Sequence, residues 1–228
     1  MVAVLEVEVL DRGSVELMSN TEKGDLLVVN AARCSFDKQH HVFYEDKDEK
    51  LINYLAEHGH LLPFRHPVAT LRFRCPIFVL RLLGKHQVGF SWSEVSRRYI
   101  TSPPDYHLPS EWRTKAENVK QVSSSDMNKE SRKFTEDAYR LAESSLVYYE
   151  HLLEQGVCPE QARMVLPQSM YTTTVTTGTL LGWHHLYKLR TEEHTQLETQ
   201  EFAKAIGTIM QELFPVSWKA LCKYEESN

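Results

Sequence analysis

The sequence predicts one domain that mixes helices and strands. Strands are indicated by the alternation of apolar and polar residues in "VATLRFRC" at 68–75 and in "VAVLEVEVLDRGSVELM" at 2–18, which turns at Asp11-Arg12-Gly13. Because successive side chains of a strand point to opposite faces, such alternation is typical of a half-buried sheet. Helices are indicated by segments in which apolar residues recur three or four positions apart, and these segments fill much of the remaining chain.

Two helices are predicted in the first half of the chain. "DEKLINYLAEHGH" at 48–60 has acidic residues at its start, apolar residues at helical spacing and Gly59 at its end. "PIFVLRLLGKHQ" at 76–87 begins with proline and runs apolar to Gly84. We therefore expect a short helix there that places Lys85, His86 and Gln87 at its far end.

The second half of the chain is predicted to be mainly helical. A long amphipathic helix ends near Gly156, and we assign its apolar and aromatic stripe to the core. The stripe consists of Phe134, Ala138, Leu141, Ser145, Tyr148 and Leu152. "PEQARMVLP" at 159–167 predicts a short helix that sets Arg163 among apolar neighbours, where a guanidinium needs an anionic partner. From Tyr171 onward we expect two helices, through "TLLGWHHLYKLR" and through "EFAKAIGTIMQELF", with Pro215 closing the second.

Two stretches near the middle of the chain have other patterns. In "KHQVGFSWSEVSRRY" at 85–99, an extended backbone aligns Glu94, Ser96 and Arg98 on one face, after two aromatic residues. A solvated edge strand can carry the same pattern without any function. Residues 101–131 are polar and contain several prolines and serines, so we expect a long excursion or lid within a single domain 1–228.

Composition and charge exclude several classes of protein. Hydrophobic residues make up 42% of the 228 residues, enough for a substantial core, and the net charge of −5 does not suit a dedicated binder of nucleic-acid polymers. No apolar run reaches membrane-spanning length, and the N-terminal residues lack the basic start of a signal peptide. The four cysteines lie far apart in sequence without a CxxC pair. We therefore expect reduced thiols and a cytoplasmic protein.

Several kinds of catalytic site are missing from the sequence, which has no GxSxG, Walker, HExxH or GxGxxG motif. A nucleotide cofactor would therefore bind outside a Rossmann unit. The histidines lack the spacing of a zinc site, and we predict no metal. Cys158 lies in a predicted turn without a sequence neighbour that would activate it, so we interpret it as a passive thiol.

Three arginines remain as candidates for ligand binding. Arg98, Arg163 and Arg190 would suit a phosphate and a planar polar ring if the fold brings them together, since each guanidinium can donate to paired oxygens. Each of them alone is more typical of a salt bridge or a surface position than of a ligand contact. The sequence pattern by itself does not decide between these interpretations.

The stretch at 85–99 resembles the signature of the flavin-dependent thymidylate synthases, which reads Arg-His-Arg, a short spacer, then Ser-x-Asn-Glu-x-Ser-x-Arg-Tyr. Five further blocks resemble that family in the same order, and together they span nearly the whole chain. These blocks are "AARCSF" at 31–36, "HGHLLPFRHP" at 58–67, "PIFVLR" at 76–81, "ARMVLP" at 162–167 and "LRTEEHTQ" at 189–196.

The resemblance implies both a fold and a reaction. The fold is α+β, with a central, mainly antiparallel sheet flanked by helices, and it assembles as a homotetramer whose active sites lie between subunits. The reaction transfers the methylene of methylenetetrahydrofolate to carbon 5 of dUMP. Reduced FAD supplies a hydride and NADPH reloads the flavin, without a protein nucleophile.

The resemblance also implies roles for particular residues. Arg190 and Ser96 would be catalytic, with Arg190 at the uracil ring. The residues implied to bind the nucleotide are Lys85, Glu94, Val95, Ser96, Arg97, Arg98, Arg163 and Arg190. The residues implied to bind the flavin or the folate are Ser35, His60, Arg65, Lys85, His86, Gln87, Val88, Glu94, Thr179 and His185.

The chain departs from the family pattern mainly among the flavin residues. Lys85 and Gln87 replace two arginines, one extra residue precedes Ser91, and Ser93 stands where asparagine is common. Leu62 and Arg65 stand where the family often has a hydroxyl and an acid, and Thr179 and His185 where asparagines are frequent. Two alternatives stay open: a sister enzyme that methylates or hydroxymethylates another pyrimidine nucleotide such as dCMP, and a degenerate protein that binds nucleotide or flavin without catalysis.

Overall fold

The computed structural model describes residues 5–116 and 123–225. The strands are β1 Glu6–Val9, β2 Gly13–Asn20, β3 Val68–Pro76, β4 Phe90–Glu94, β5 Arg113–Lys115, β6 Ser123–Met127 and β7 Tyr171–Thr179. The helices are α1 Gly24–Arg33, α2 Glu45–Glu57, α3 Ile77–Leu83, α4 Ser131–Glu154, α5 Pro159–Ala162, α6 Leu180–Thr191, α7 Leu197–Leu213 and α8 Pro215–Glu225. Three single 3₁₀ turns, Cys34–Phe36, Leu62–Arg65 and Arg163–Val165, lie between them.

A five-stranded sheet with the order β1-β2-β3-β7-β4 forms the centre of the molecule. All of its neighbouring strands are antiparallel, and β3 and β7 pair over their full length, from Val68 opposite Thr179 to Pro76 opposite Tyr171. Helices pack against this sheet. The α+β fold with a central antiparallel sheet is therefore confirmed.

The core lies where the inner face of the sheet meets helices α6 and α7. Leu71 and Phe73 of β3 are fully buried there, together with Trp183 and Phe202 of the two helices. The indole Nε1 of Trp183 donates a hydrogen bond of 3.1 Å to the backbone carbonyl of Ala69. This bond satisfies the polar atom of the largest buried side chain, as burial of an indole requires.

Strand β7 and helix α8 were absent from the sequence prediction. Residues from Tyr171 were expected to lead directly into helices, but they form the nine-residue strand between β3 and β4 in the sheet. Helix α7 ends at Leu213, as expected from Pro215, but this proline does not end the chain's helical part. It begins α8, whose backbone N–H groups at Val216 and Ser217 are accepted at 3.1 and 2.9 Å by the carboxylate of Asp25. Helix α1, which carries Asp25, was also not predicted.

The apolar and aromatic stripe of α4 was only partly right as a core face, because four of its six residues, Phe134, Ala138, Ser145 and Leu152, are half-buried. In the single chain, Leu141 is 73% exposed and Tyr148 is 53% exposed, whereas the buried residues of this helix are Ala142 and Tyr149. The fully buried residues of α4, Ala142 and Tyr149, each lie one position after an exposed member of the predicted stripe. The helix and its end near Gly156 are as expected.

Two further expectations need correction. The extended face that was expected to run through Arg98 stops early, because β4 ends at Glu94 and residues 95–100 form a turn. The excursion at 101–131 contains a short antiparallel pair, β5 with β6. The part of the excursion at 117–122 lies outside the described residues.

Gly178 of β7 gives a test of the packing that holds β4 in place. A Cβ at this position would overlap the ring of Phe90 and would lie 2.7 Å from Cε2 of Trp183. We expect Gly178→Ala to lower the free energy of unfolding by about 1–3 kcal/mol, the usual cost of overfilling a packed site. Denaturant unfolding measures this change. Gly156→Asn is the control, because Gly156 has φ +80° with no atom near its Cβ position, and asparagine tolerates that backbone. Equal stabilities of the Gly178→Ala variant and the parent would contradict this account.

Candidate active site

A cleft of about 760 Å³ opens where β4, β7, the end of α3 and the Arg163 turn meet. Six of the residues implied to bind the nucleotide or the flavin line it: Gln87, Glu94, Val95, Ser96, Arg97 and Arg163. They come from three separate segments of the sequence. The fold therefore brings together residues that the sequence could only relate by motif.

Glu94 is held in this cleft by the pairing of β4 with β7. Glu94 lies opposite Thr174 at the end of the β4–β7 ladder. Its carboxylate Oε1 accepts a hydrogen bond of 2.9 Å from Thr172 Oγ1. The backbone N–H of Val95 then donates to the carbonyl of Thr173 at 2.9 Å, which fixes the strand end. One threonine hydroxyl thus orients the carboxylate and leaves its second oxygen for a ligand.

The turn after Glu94 carries the serine and the two arginines of the motif. Ser96 Oγ accepts the backbone N–H of Arg98 at 3.3 Å, and the Arg97 guanidinium donates to the carbonyl of Ser102. Arg98 does not line the cleft, and its Nε lies 3.3 Å from the carboxylate of Glu160 in α5. The predicted row of Glu94, Ser96 and Arg98 is thus divided, with Arg98 paired across to α5.

Arg163, in the 3₁₀ turn after α5, also lines the cleft. Its Nε donates to the carbonyl of Glu160 at 3.3 Å, and its side chain is exposed, not surrounded by apolar residues as expected. Arg81 of α3 also lines the cleft and donates to Gln168 Oε1 at 3.2 Å. Three guanidiniums, of Arg81, Arg97 and Arg163, therefore face a single carboxylate, Glu94, in this cleft. This charge balance favours an anionic ligand.

Arg190 lies on the other side of the turn at 85–89. It is not a lining residue of the cleft, and its Nε donates to Nε2 of His86 at 3.1 Å. Because an arginine can only donate, Nε2 of His86 must carry the lone pair. Burial first, then the positive charge of Arg190 and the nearby His185 lower the pKa of His86 to about 4. Burial also lowers the pKa of Arg190.

Of the remaining residues implied to bind flavin or folate, Thr179 lies at one end of the sheet and the others lie on the surface. Thr179 meets Gly89 at the sheet edge, where its N–H donates to the Gly89 carbonyl at 3.0 Å. Its hydroxyl also caps α6 by accepting from the N–H of Gly182 at 3.1 Å. Ser35, His60, Arg65, Lys85, Val88 and His185 are exposed. Thr179 therefore has a structural use that its motif position did not reveal.

Three contributors to the site were missed by sequence reasoning. Arg81 and Met164 line the cleft, and Thr172 orients Glu94. Arg81 and Met164 lie inside blocks that matched the family, so their positions were available as a signal. Thr172 lies in the strand that was not predicted, and only the sheet register brings it beside Glu94.

Within residues 5–116 and 123–225, no group of three or more histidine, cysteine, aspartate or glutamate side chains could hold a metal ion. The helices of these same ranges include none that is long and apolar enough to cross a membrane.

Comparison with known proteins identifies the family. The family model described as "Thymidylate synthase complementing protein" matches residues 16–216. The chain belongs to this family. Curated relatives named flavin-dependent thymidylate synthase include one from Kosmotoga olearia, 34% identical over 96% of this chain and 94% of the relative. Another, from Thermus thermophilus, is 34% identical over 95% of this chain and 78% of the relative.

A solved structure agrees with the family assignment. It is the UMP/dUMP methylase PolB from Streptomyces cacaoi bound with 5-Br dUMP, which is 28% identical, with a TM-score of 0.85 over 96% of this chain and 98% of that chain. The same methylase has also been solved with 5-Br UMP. This member of the flavin-dependent thymidylate synthase family is thus a methyltransferase.

The contact between His86 and Arg190 gives a spectroscopic prediction for this family member. Replacing Arg190 with glutamine removes the second largest cause that lowers the His86 pKa, so the pKa should rise part of the way from about 4 towards 6.5, while burial still opposes protonation. Titration of ¹⁵N-labelled histidines by NMR measures it, with the His86 signal assigned by its loss in His86→Gln. His185→Gln is the control and should give a smaller rise.

The same pKa fixes the sign of a stability effect. The unfolded chain binds this proton at higher pH than the folded chain, so His86 lowers the free energy of unfolding as the pH falls from 6.5 towards about 4. An unchanged His86 titration in the Arg190→Gln variant would contradict the contact.

Proposed function

We propose that this protein is a thymidylate synthase that methylates carbon 5 of dUMP to give dTMP, with methylenetetrahydrofolate as the carbon donor. The observation that supports it best is the cleft that collects Gln87, Glu94, Ser96 and Arg163, with His86, the partner of Arg190, next to Gln87 in the chain. An anionic ligand with a planar polar ring matches this set of charges and hydrogen-bonding groups.

In this proposal the cleft binds and orients the nucleotide. Arg163 and Arg97, which both line the cleft, would hold the phosphate. Glu94, already oriented by Thr172, would accept a hydrogen bond from the sugar or the base with its second oxygen. Ser96 would donate or accept beside it. Arg98, paired with Glu160, would join this set by exchanging its exposed carboxylate partner for the phosphate.

Arg190 would act in the chemical step. As carbon 5 of the uracil becomes nucleophilic, negative charge develops on the ring oxygen, and a fixed guanidinium stabilises this charge more in the transition state than in the ground state. An obligate donor also suits the carbonyl of uracil better than the exocyclic amine of cytosine. We therefore favour dUMP over dCMP.

A flavin is part of the proposal, with FAD as the cofactor and NADPH as its reductant. Once reduced by NADPH, the bound flavin would supply the hydride that reduces the transferred one-carbon group to a methyl group. The residues proposed to hold it fit its chemistry: Lys85 and Arg65 are exposed cations suited to a pyrophosphate, and Ser35 and His60 are exposed hydrogen-bonding groups. Lys85 keeps the charge of the usual arginine but donates from a single ammonium.

The proposal includes an assembly and a compartment. We propose a homotetramer with active sites between subunits, located in the cytoplasm. The exposed apolar stripe of α4, with Leu141 73% exposed in the single chain, supports an association between subunits. Ser35 and His60, two residues proposed to hold the flavin, are exposed and lie outside the cleft. The proposed site therefore extends over separate surfaces of the single chain.

Methylation of UMP is the second candidate, and one observation favours it. The solved relative is described as a UMP/dUMP methylase and was bound with both 5-Br dUMP and 5-Br UMP. A direct assay separates the candidates. The purified, flavin-loaded protein is incubated with labelled methylene-folate, NADPH and either dUMP, UMP or dCMP. Product formed from dUMP alone, or from dUMP in strong preference to UMP and dCMP, supports the proposal. Product formed only from UMP or only from dCMP overturns it. Failure to bind flavin and to form any product would favour a degenerate binding protein.

Arg190→Ala tests the activating residue. Loss of one preorganised charge-stabilising group should slow product formation by roughly 10²–10³-fold. Reduction of the flavin by NADPH does not involve the uracil ring and should be nearly unchanged. Stopped-flow absorbance follows flavin bleaching first and then its reoxidation with methylene-folate and dUMP. Reoxidation and dTMP formation at the parental rate with saturating dUMP would remove Arg190 from this role.

The cysteines are predicted to take no covalent part. Cys34 and Cys158 are exposed, whereas Cys75 is buried in β3, where burial and the nearby Glu94 charge raise the pKa of its thiol. A thiol held protonated is a poor nucleophile. We expect single substitutions of Cys34, Cys75, Cys158 and Cys222 by serine to leave turnover within about threefold, apart from a loss of stability at Cys75. Loss of all activity in a variant with normal circular dichroism and thermal unfolding would indicate a protein nucleophile.

A further inference from the structure

We propose that His86 is a positioning residue for Arg190. It holds the Nε of Arg190, so that both terminal amino groups of the guanidinium remain available for the nucleotide. The inference rests on the function proposed above, in which Arg190 meets the uracil ring. It gives His86 a role that differs from the flavin contact implied by its motif position. The contact that carries it is the 3.1 Å hydrogen bond from Arg190 Nε to His86 Nε2.

This contact uses one N–H donor of Arg190 and leaves its other N–H donors available. A guanidinium has five N–H groups, one on Nε and four on the two terminal nitrogens. The Nε–H is used by His86, and no other hydrogen bond of Arg190 is present among the described residues. Four donors in a plane therefore remain, in the fork arrangement that matches the edge of a ring bearing a carbonyl.

His86 is itself fixed by three elements of the fold. Its backbone N–H donates to the Leu83 carbonyl at 3.1 Å at the end of α3, and Leu83 is fully buried. Its carbonyl accepts the indole N–H of Trp92 in β4 at 3.0 Å. Its imidazole meets α6 through Arg190. The ring is therefore anchored to α3, β4 and α6 and can serve as a fixed acceptor.

The protonation state of His86 suits this role. Burial, Arg190 and His185 lower the pKa of His86 to about 4, so the ring is neutral at physiological pH and offers one lone pair. The guanidinium fixes that lone pair on Nε2, which leaves the proton on Nδ1. A long, flexible arginine loses rotamer freedom when it binds, and fixing it beforehand removes part of that cost.

The chain allows a matched pair of substitutions. In His86→Gln, the end of the side chain reaches about as far as Nε2 and can still accept from Arg190. In His86→Asn, the amide ends near the position of Nδ1 and cannot reach. Both variants remove the imidazole and keep a neutral polar side chain. If the imidazole served only in packing or in flavin binding, both variants would lose that role. His86→Gln would then not be more active than His86→Asn.

The experiment measures flavin reoxidation by methylene-folate and dUMP in the flavin-loaded protein. We expect His86→Asn to slow this step about tenfold, as for the loss of one hydrogen bond to a charged group, and His86→Gln to stay within about threefold of the parent. Flavin reduction by NADPH and flavin affinity should be unchanged in both variants. A tenfold slowing in both variants, or weaker flavin binding with reoxidation at the parental rate, would overturn the proposal.

A double-mutant cycle with Arg190→Ala completes the test. If His86 acts only through Arg190, then His86→Asn should have no further effect on reoxidation in the Arg190→Ala background. The same tenfold slowing in both backgrounds would overturn the proposal. Circular dichroism and sedimentation confirm that each variant keeps the parental fold and assembly. A parent protein that forms no product from dUMP would overturn the proposed function and this inference with it, whereas an active parent with an additive cycle overturns this inference alone.

Discussion

The pairing of β7 with two neighbours is the interaction on which the rest of the structure depends. Along one edge β7 pairs with β3 over nine residues, and along the other it pairs with β4. The first ladder joins the site to the N-terminal hairpin through β2 and β3. The second sets the end of β4 beside Thr172, which orients Glu94. Without β7, the cleft would lack its floor and Glu94 its partner.

The composition of β7 explains both its stability and its absence from the sequence prediction. Six of its nine residues are threonines, whose branched side chains suit a strand but do not alternate visibly in hydrophobicity. Burial of their hydroxyls is tolerated because they are bonded: Thr174 donates to the Ser93 carbonyl at 2.9 Å, and Thr177 pairs with Thr70 at 2.9 Å. Such partners exist only in the folded sheet. A search for apolar periodicity therefore passes over this strand.

Other elements were predictable because their signals are local. The alternation in 68–75 gave β3, and the proline and glycine around 76–84 gave α3. The α4 stripe was only partly correct as a core face, because Leu141 and Tyr148 are apolar yet exposed in the single chain, whereas Phe134 and Leu152 are half-buried. Helical periodicity shows that a helix has an apolar face, but it does not show which surface covers that face.

The candidate site shows the same division. Family motifs identified Glu94, Ser96 and Arg163, and the structure brings these into one cleft. The same motifs could not show that Arg98 pairs with Glu160 or that Thr179 caps α6. Those contacts depend on tertiary placement. The family assignment is established by the comparisons, whereas the residue roles stay predictions.

The position of β4 at the edge of the sheet has a dynamic consequence. This strand carries Glu94 and leads into the turn with Ser96, yet it has a single hydrogen-bonded neighbour, whereas β7 has two. Free energies of local opening are lowest where the fewest backbone bonds must break. Amide hydrogens of β7 should therefore exchange with solvent deuterium much more slowly than those of β4. The wall of the cleft formed by β4 can open locally while β7, which forms its floor, stays paired. Ligand entry therefore need not disturb the core.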